Sequence, residues 1–146
     1  MHVFLDIDGV LNRSSDWKKG YTVRPECLAR LQGLLKALSS ASPVTLVFTS
    51  TWGRMLEDGW KSAGLGMLEA VPGLTIGGYV YQPPGRTRAE AVRHYIRKNG
   101  VGRHVIIDDD KTLFPDTEDL AIVFTDASKG LTDRDCAKIL ALAGKR

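Results

Sequence analysis

Two aspartates near the start of the chain have the spacing to do chemistry on one ligand. Asp6 and Asp8 follow the apolar run of residues 2 to 5 and precede Gly9. Alternate residues of an extended chain point to opposite faces, but a turn at Gly9 can bring both carboxylates to one ligand. Two close carboxylates stay ionised only where a cation or a phosphate site balances them. The pair therefore indicates such a site, the plainer alternative being two acids that cap a loop.

A second acidic cluster, Asp108-Asp109-Asp110, follows the apolar run of residues 104 to 107. Three successive acids beside a buried strand are costly unless one or two of them bind a cation. Mg²⁺ prefers oxygen ligands in octahedral geometry, typically one or two carboxylates with water and substrate phosphate. The cluster predicts a magnesium site to which Asp108 or Asp109 contributes, whereas Asp110 fits better in a solvated turn.

The elements that must position these acids are predicted as alternating strands and helices. The predicted strands cover residues 2–6, 44–49, 79–81, 104–107 and 121–125, and helical segments begin near Pro25, Gly53, Thr87 and Thr132. Short apolar strands separated by helices pack as a parallel sheet covered on both faces. Right-handed crossovers then restrict the fold to a doubly wound, three-layer α/β/α sandwich, Rossmann-like, with a mainly parallel five-stranded sheet.

Polar side chains fall where three of these predicted strands stop, namely Asp6, Ser50 and Asp108. In a doubly wound sheet, ligands bind beyond the carboxyl ends of the strands. Three separate strands therefore deliver a carboxylate or a hydroxyl to one edge of one sheet. Taken without the other residues, Ser50 is better interpreted as a helix N-cap before Trp52.

In this order the segments resemble the haloacid dehalogenase (HAD) superfamily. DIDGVL is similar to its first motif, VFTS to its second, which has Ser or Thr at a strand end, and VIIDDD to its fourth, which has paired acids. The FTSTW around Trp52 and the stretch from Phe124 to Leu131 look closer to the small HAD domains of RNA-repair and phage proteins. The resemblance covers nearly the whole chain, and the motifs come in the right order.

The resemblance implies a magnesium-dependent phosphatase. Asp6 would attack phosphorus and form an aspartyl-phosphate, while Asp8 would act first as general acid and then as general base. Ser50 would hydrogen-bond a phosphoryl oxygen, and Thr49 would take that role if the strand ends one residue earlier. The implied ligands of Mg²⁺ are Asp6, the backbone carbonyl of Asp8, and Asp108 or Asp109.

The third motif departs from the family pattern, which usually has a Lys that binds the phosphoryl oxygens and the nucleophile. The matching segment GRTRAEAV offers Arg88, with Arg86 nearby. Arg keeps the charge and can bind phosphate bidentately, but it is not equivalent to Lys at a tight site. Arg88 is the expected occupant; Arg86, Lys111 or a weakened site remain alternatives, and a solvated first helical turn is the plain interpretation.

Many HAD phosphatases carry an inserted cap domain, for which this chain has no room. Residues 12 to 24 leave space for a short flap only, so a single HAD-like domain spanning residues 1–146 is expected, its site covered at most by a dimer partner. An open site fits a bulky substrate, such as a nucleic-acid end, better than a small metabolite. Candidates to stack on a base and contact phosphate in the flap are Trp17, Lys18, Lys19 and Tyr21, although a flap of solvated lysines is nearly as good an interpretation.

The composition is that of an ordinary globular protein, with 43% apolar and 25% charged residues. The formal net charge of +3 would not repel a phosphorylated substrate, but it falls short of a dedicated nucleic-acid-binding surface. No apolar run approaches the roughly 20 residues that span a bilayer. The first residues predict a strand rather than a signal peptide, and Cys27 and Cys136 are expected as free thiols in the cytoplasm.

The leading expectation is a phosphomonoesterase acting on polynucleotide ends or nucleotides. A phosphatase of small metabolites or phosphoproteins would use the same residues. A non-catalytic HAD-like domain that binds Mg²⁺ and phosphate would account for Arg at the third motif, but it has no need of Asp8. A receiver domain lacks DxDG after its first strand, and a dinucleotide-binding fold would have a glycine-rich turn there. The oligomeric state is not readable from the sequence.

Overall fold

The computed structural model describes residues 1–20 and 22–144, with a five-stranded sheet at its centre. The strands are β1 (His2–Leu5), β2 (Val44–Phe48), β3 (Leu74–Tyr79), β4 (His104–Asp108) and β5 (Ile122–Phe124). The α-helices are α1 (Pro25–Ala41), α2 (Arg54–Gly59), α3 (Arg88–Asn99) and α4 (Asp133–Gly144). Shorter helical turns cover Ser14–Lys19, Lys61–Leu65, Gly66–Ala70 and Lys111–Leu113.

The strands are all parallel and lie in the order β3-β2-β1-β4-β5. The chain starts at the centre of the sheet, builds outwards through β2 to β3, and then crosses over to continue at β4. This reversal is the switch point of a doubly wound sheet, where the carboxyl ends of the strands open onto a ligand site. The predicted three-layer, Rossmann-like α/β fold is confirmed.

The two faces of the sheet build separate halves of the core. Val3 and Leu5 of β1 pack on the face that α1, α2 and α4 cover, whereas Phe4 packs on the face that α3 covers. All three side chains are fully buried. Because both faces are covered, the strands are continuous apolar runs, which is why most of them could be located in the sequence.

Strand β3 begins at Leu74, ahead of the predicted range 79–81, so that prediction was wrong at both ends. Gly77 and Gly78 interrupt the apolar pattern and hide the strand. A Cβ at Gly77 would lie 2.5 Å from Cγ2 of Thr45 on β2, and Gly78 has a φ of +106° at a register shift against that strand. Close approach and a bulge therefore explain both glycines.

Capping residues start helices α3 and α4. The hydroxyl of Thr87 accepts a hydrogen bond from the amide of Glu90 at 3.1 Å, so α3 begins at Arg88. At α4, the amide of Asp135 donates to Oγ1 of Thr132 at 3.2 Å, and the amide of Thr132 donates to Oδ2 of Asp135 at 2.9 Å. Both predicted helix starts are confirmed, and the first one places Arg88 in the opening turn of α3.

No cap domain interrupts the described residues. The connection from β1 to α1 contains the short turn Ser14–Lys19, and the connection from β3 to α3 contains no helix. Both cysteines are free thiols, Cys27 buried and Cys136 partly buried. Within the described ranges, no helix combines the length and the apolar character needed to cross a membrane.

Candidate active site

The parallel pairing of β1 and β4 brings the two acidic clusters together. Leu5 lies opposite Ile107 in this pairing, so Asp6 and Asp108 follow side by side at the carboxyl edge of the sheet. Single carboxylate oxygens of Asp6, Asp108 and Asp109 lie within 4.8 Å of one another. Asp6 and Asp108 are buried, and Asp109 is partly buried. We call these three residues the carboxylate cluster.

Arg88 reaches into this cluster from the first turn of α3. Its Nη1 lies 2.7 Å from Oδ2 of Asp108 and 3.3 Å from Oδ1 of Asp6, and only 3% of the residue is exposed. Burial by itself would lower the pKa of Arg88, but the charges of Asp6 and Asp108 raise it, so the guanidinium stays charged. The interpretation of Arg88 as a solvated helix residue is therefore wrong.

The other basic candidates for the third motif lie elsewhere. Arg86 is exposed, and its Nη1 pairs with Oε2 of Glu90 at 3.2 Å. Nζ of Lys111 lies 5.8 Å from the ring centre of Phe124. Among the described residues, the ion pairs of the carboxylate cluster are made with Arg88 alone. The structure thus brings one of the three candidates to the acids.

The carboxylate cluster carries more negative charge than Arg88 balances. Burial, followed by the charge of Asp108, raises the pKa of Asp6 well above its usual value, although Arg88 opposes the rise. Burial also raises the pKa of Asp109. With all three carboxylates ionised, Arg88 would balance one charge and leave two, which a divalent cation would neutralise. The donor set of oxygen ligands fits Mg²⁺.

Asp8 does not join the carboxylate cluster with its side chain. Gly9, with a φ of +78°, turns the chain directly after it, and a Cβ at this glycine would overlap the carboxylate of Asp109. One oxygen of Asp8, Oδ1, accepts hydrogen bonds from Nε1 of Trp52 at 3.0 Å and from Nδ2 of Asn12 at 2.9 Å. The carboxylate is therefore held by two donors beside the site.

Asn12 and Trp52 are site residues that the sequence interpretation missed in this role. Asn12 is fully buried, and its Oδ1 accepts from the amide of Gly9 at 2.9 Å and from Nε1 of Trp17 at 3.0 Å. Its Nδ2 donates to Asp8 and to the carbonyl of Thr22. Two features of the sequence could have indicated them: Asn12 comes directly after the apolar end of the first motif, and Trp52 comes two residues after the second motif.

The two hydroxyl candidates of the second motif have different surroundings. Strand β2 ends at Phe48, one residue earlier than predicted, so Thr49 lies beside Asp6 at the sheet edge. Oγ1 of Thr49 is buried and has no hydrogen-bond partner among the described residues. Oγ of Ser50 accepts from the amide of Trp52 at 3.1 Å, which closes a turn ahead of α2. Because the N-cap of α2 is Gly53, the interpretation of Ser50 as a helix N-cap is wrong. The unsatisfied hydroxyl is the one better placed to bind a ligand.

The flap (residues 12 to 24) packs against the site through its tryptophan. Trp17 is 46% exposed while its indole N–H binds Asn12, which in turn binds Asp8. Lys18 is exposed, and Nζ of Lys19 lies 3.6 Å from Oδ1 of Asp16. Tyr21 lies outside the described residues. The flap therefore contacts the network around Asp8, and part of its indole remains open to solvent.

Asp110 is a turn residue, as its sequence context indicates. Its Oδ1 accepts hydrogen bonds from the amide of Thr112 at 3.0 Å and from the Thr112 hydroxyl at 2.5 Å, which caps the turn Lys111–Leu113. Its own amide donates to Oδ1 of Asp108 at 2.9 Å. Asp110 thus orients Asp108 through the backbone and has its carboxylate engaged outside the carboxylate cluster.

The fold and these strand-end acids define a capless HAD-type domain with a candidate metal site. A family model described as the HAD domain in Swiss Army Knife RNA repair proteins matches residues 2–136, and the chain belongs to this family. Neither the curated proteins nor the solved structures gave a match. Membership confirms the resemblance drawn from the motifs and indicates a HAD-type hydrolase, a class that typically uses a metal ion.

Proposed function

We propose that this protein is a magnesium-dependent phosphomonoesterase that forms an aspartyl-phosphate on Asp6 and acts on a bulky substrate such as a nucleic-acid end or a nucleotide. The observation that supports it best is the grouping of three carboxylates, two of them buried, within 4.8 Å of one another beside a single guanidinium. A purely structural ion pair needs one carboxylate for one guanidinium. The surplus carboxylates are consistent with binding a cation and attacking phosphorus.

Asp6 is the proposed nucleophile because of its neighbours. Arg88 favours the ionised carboxylate and presents a cation to the oxygens of an incoming phosphoryl group. The hydroxyl of Thr49, unsatisfied in the described residues, is the proposed donor to a phosphoryl oxygen, ahead of Ser50. A bond forms between a carboxylate oxygen of Asp6 and phosphorus while the bond from phosphorus to the ester oxygen breaks.

Asp8 is the proposed general acid and base. Both donors that Asp8 has among the described residues bind Oδ1, which leaves Oδ2 for proton transfer. In the first step Asp8 gives its proton to the leaving ester oxygen. In the second step it takes a proton from the water that attacks phosphorus, which releases phosphate and restores the carboxylate of Asp6.

The proposed Mg²⁺ site consists of Asp6, the backbone carbonyl of Asp8, and Asp108 or Asp109. When bound, Mg²⁺ would offset the charge between the nucleophile and the incoming phosphate. Asp108 already accepts from Arg88 and from the amide of Asp110, which fixes the orientation of its carboxylate. Asp109 is the less buried of the two.

The open approach to the site supports a bulky substrate. The turn Ser14–Lys19 is the element between β1 and α1, and it places the half-exposed indole of Trp17 beside the network of Asp8. An exposed indole next to a phosphate site is suited to stack on a base. Nucleic acid is therefore the proposed partner, with Trp17 and Lys18 of the flap and Arg86 beside α3 as its candidate contacts.

Phosphate release from a generic aryl phosphate and from oligonucleotides with a 3′- or 5′-phosphate tests this proposal. Release should require Mg²⁺, stop in EDTA, and disappear in Asp6→Asn. A suitable control is Asp116→Asn, since Asp116 is exposed and has a φ of +52° that Asn also tolerates. A non-catalytic domain that binds Mg²⁺ and phosphate would show binding without release from any substrate. Preference for aryl phosphate or a phosphopeptide would move the substrate class away from nucleic acid.

A further inference from the structure

The face of the sheet that carries α3 is only partly covered. Among the described residues, α3 is the single α-helix on this face, while α1, α2 and α4 pack on the other. Thr75 and Gly77 of the edge strand β3 remain exposed beside it. The result is a groove of about 970 Å³ between β3 and α3, which we call the α3 groove. Gly77 keeps its floor flat, because no side chain rises there.

Most of the charged side chains that line the α3 groove are cationic. The charged residues of its lining are Arg86, Glu90, Arg93, Arg97 and Lys98. Four cations against one carboxylate leave three net positive charges, the same as the formal +3 of the whole chain. The excess of positive charge is therefore concentrated in one place, which the total charge did not reveal.

Two of these cations are uncommitted. Arg97 and Lys98 are exposed and form no ion pair within the described part of the chain, whereas Arg93 is held by both oxygens of Asp119. The exposed pair of Arg86 with Glu90 is weak enough to exchange for another anion, since such pairs contribute about 0 to 1 kcal/mol. The cations thus lie at both ends of α3 and are available to a polyanion.

Aromatic side chains stand among these cations. Tyr81 lines the groove and is 70% exposed, the most exposed of the large hydrophobic side chains described. Tyr79 and Tyr95 also line the groove, Tyr95 being packed edge-on against Phe4 at a centroid distance of 5.6 Å. A positively charged groove with an exposed ring is the arrangement that binds single-stranded nucleic acid, through phosphate contacts and base stacking.

The groove leads to the candidate active site. Arg86 at its near end is separated from Arg88 by the cap residue Thr87 alone. Tyr79, at the end of β3, lines the groove and interacts electrostatically with Arg88 and Asp6. Helix α3 has 12 residues and is therefore about 18 Å long, which corresponds to about five stacked nucleotides.

We infer that the α3 groove binds a single-stranded polynucleotide, with Tyr81 stacking on a base and with Arg86, Arg97 and Lys98 contacting phosphates. The inference rests on the proposed function only for the direction of the polynucleotide, whose phosphorylated end would lie at Asp6. Binding of the polynucleotide itself needs no turnover. An acidic peptide would satisfy the cations equally well, but every nucleotide of a polynucleotide also brings a base that can stack on the exposed ring of Tyr81.

Fluorescence anisotropy of an internally labelled oligouridylate of about ten nucleotides, with hydroxyl groups at both ends, tests the groove without engaging the phosphatase chemistry. The double substitution Arg97→Ala with Lys98→Ala should weaken binding and lower the salt slope of log Kd by about 1.4, at roughly 0.7 for each phosphate that the variant no longer neutralises. Tyr81→Ala should weaken binding by about 5- to 150-fold, the cost of removing one ring that stacks on a base.

Matched controls come from the opposite face. Lys36→Ala with Lys138→Ala removes the same charge from α1 and α4, and Leu140→Ala removes an exposed apolar side chain. Equal weakening by these controls would show charge- or area-driven binding anywhere on the surface and would overturn the inference. An unchanged Kd in the groove variants would do the same, as would equal displacement of the probe by oligoglutamate.

The two proposals fail separately. All groove variants should hydrolyse an aryl phosphate at the parent rate, because that substrate is too small to reach the groove. If the parent protein releases no phosphate but binding of the oligonucleotide still depends on Tyr81, Arg97 and Lys98, the proposed function is wrong and the inference about the groove is supported. If phosphate is released normally and the oligonucleotide does not bind, the inference about the groove is wrong and the proposed phosphatase activity is supported.

Discussion

Inside the protein, Nη1 of Arg88 donates to Oδ2 of Asp108 at 2.7 Å, with 4% and 0% of the two side chains exposed. The pair is buried at the first turn of a helix whose surface is otherwise rich in solvated charges. Removing one partner of a buried ion pair leaves the other charge without compensation. Arg88 therefore has consequences for stability as well as for phosphate binding.

Arg88→Met should lower the free energy of unfolding by about 3 to 5 kcal/mol, the usual cost of breaking a buried pair, because Asp6 and Asp108 lose their cation. Urea unfolding followed by circular dichroism measures this directly. Arg86→Met is the control, and it should cost less than about 1 kcal/mol because the pair of Arg86 with Glu90 is exposed. Equal losses in the two variants would contradict the assignment of Arg88 to the interior.

Arg88→Lys should preserve or raise turnover of the aryl phosphate. The ammonium keeps the positive charge beside Asp6, and Lys is the residue that the family usually has at its third motif. The measurement is kcat and KM in saturating Mg²⁺. A large fall in kcat would show that the forked guanidinium is required and that Arg88 is more than a replacement for Lys.

Thr49→Val should affect activity more than stability, and Ser50→Ala should affect stability more than activity. Thr49→Val removes a buried hydroxyl that has no partner among the described residues, so stability should hold or rise while kcat/KM falls. Ser50→Ala removes the acceptor of a turn hydrogen bond from the amide of Trp52 and should cost about 1 kcal/mol of stability, with the smaller effect on kcat/KM. The converse pattern would return the phosphate-binding role to Ser50.

Trp52→Phe should lower kcat with little change in KM. The substitution keeps an aromatic ring but removes the N–H that donates to Oδ1 of Asp8 at 3.0 Å. A hydrogen bond to a charged group contributes about 1.5 to 3 kcal/mol, so a fall in kcat of at least about tenfold is expected if the orientation of Asp8 limits proton transfer. An increase in KM at constant kcat would instead place Trp52 in substrate binding.

Asp16→Asn should make the stability of the protein depend less on pH in the acidic range. A side-chain hydrogen bond from Arg24 and a backbone hydrogen bond from Arg13 lower the pKa of Asp16 to about 2. Because this pKa is lower in the folded than in the unfolded protein, ionised Asp16 stabilises the fold at pH values above the unfolded-state pKa of about 4. That contribution is lost as the pH falls towards 2. Urea unfolding at several pH values between these limits compares the variant with the parent. An unchanged pH profile would show that the contacts of Asp16 do not stabilise the flap.

Family motifs located the acids of the site without any structure. DIDG and IIDDD each put carboxylates directly after an apolar run, and a buried parallel strand is such a run in any sequence. The two strands are neighbours in a doubly wound sheet, so their ends meet. Asp6, Asp108 and Asp109 could therefore be predicted together, before their oxygens were known to lie within 4.8 Å of one another.

Strand β3 and the partners of Asp8 escaped prediction for a different reason. Gly77 and Gly78 allow β3 to approach β2 closely and to shift its register there. The periodicity of one segment of sequence does not show what a neighbouring strand demands of it. The hydrogen bonds from Asn12 and Trp52 to Asp8 join residues that are 4 and 44 positions away from it. Only the packing of the loops decided that both donors would meet one oxygen.

The sequence by itself determined the α/β class, the family and the acids at the strand ends, because burial and turn chemistry impose local patterns that a chain must carry wherever it folds. The tertiary structure decided which arginine is buried and which hydroxyl lacks a partner among the described residues. It also placed four of the cations between residues 86 and 98 beside β3, where they line one groove. Arg86 and Arg88 lie on either side of the cap residue of α3, yet the first is exposed and the second is buried. That difference exists only once the helix has packed.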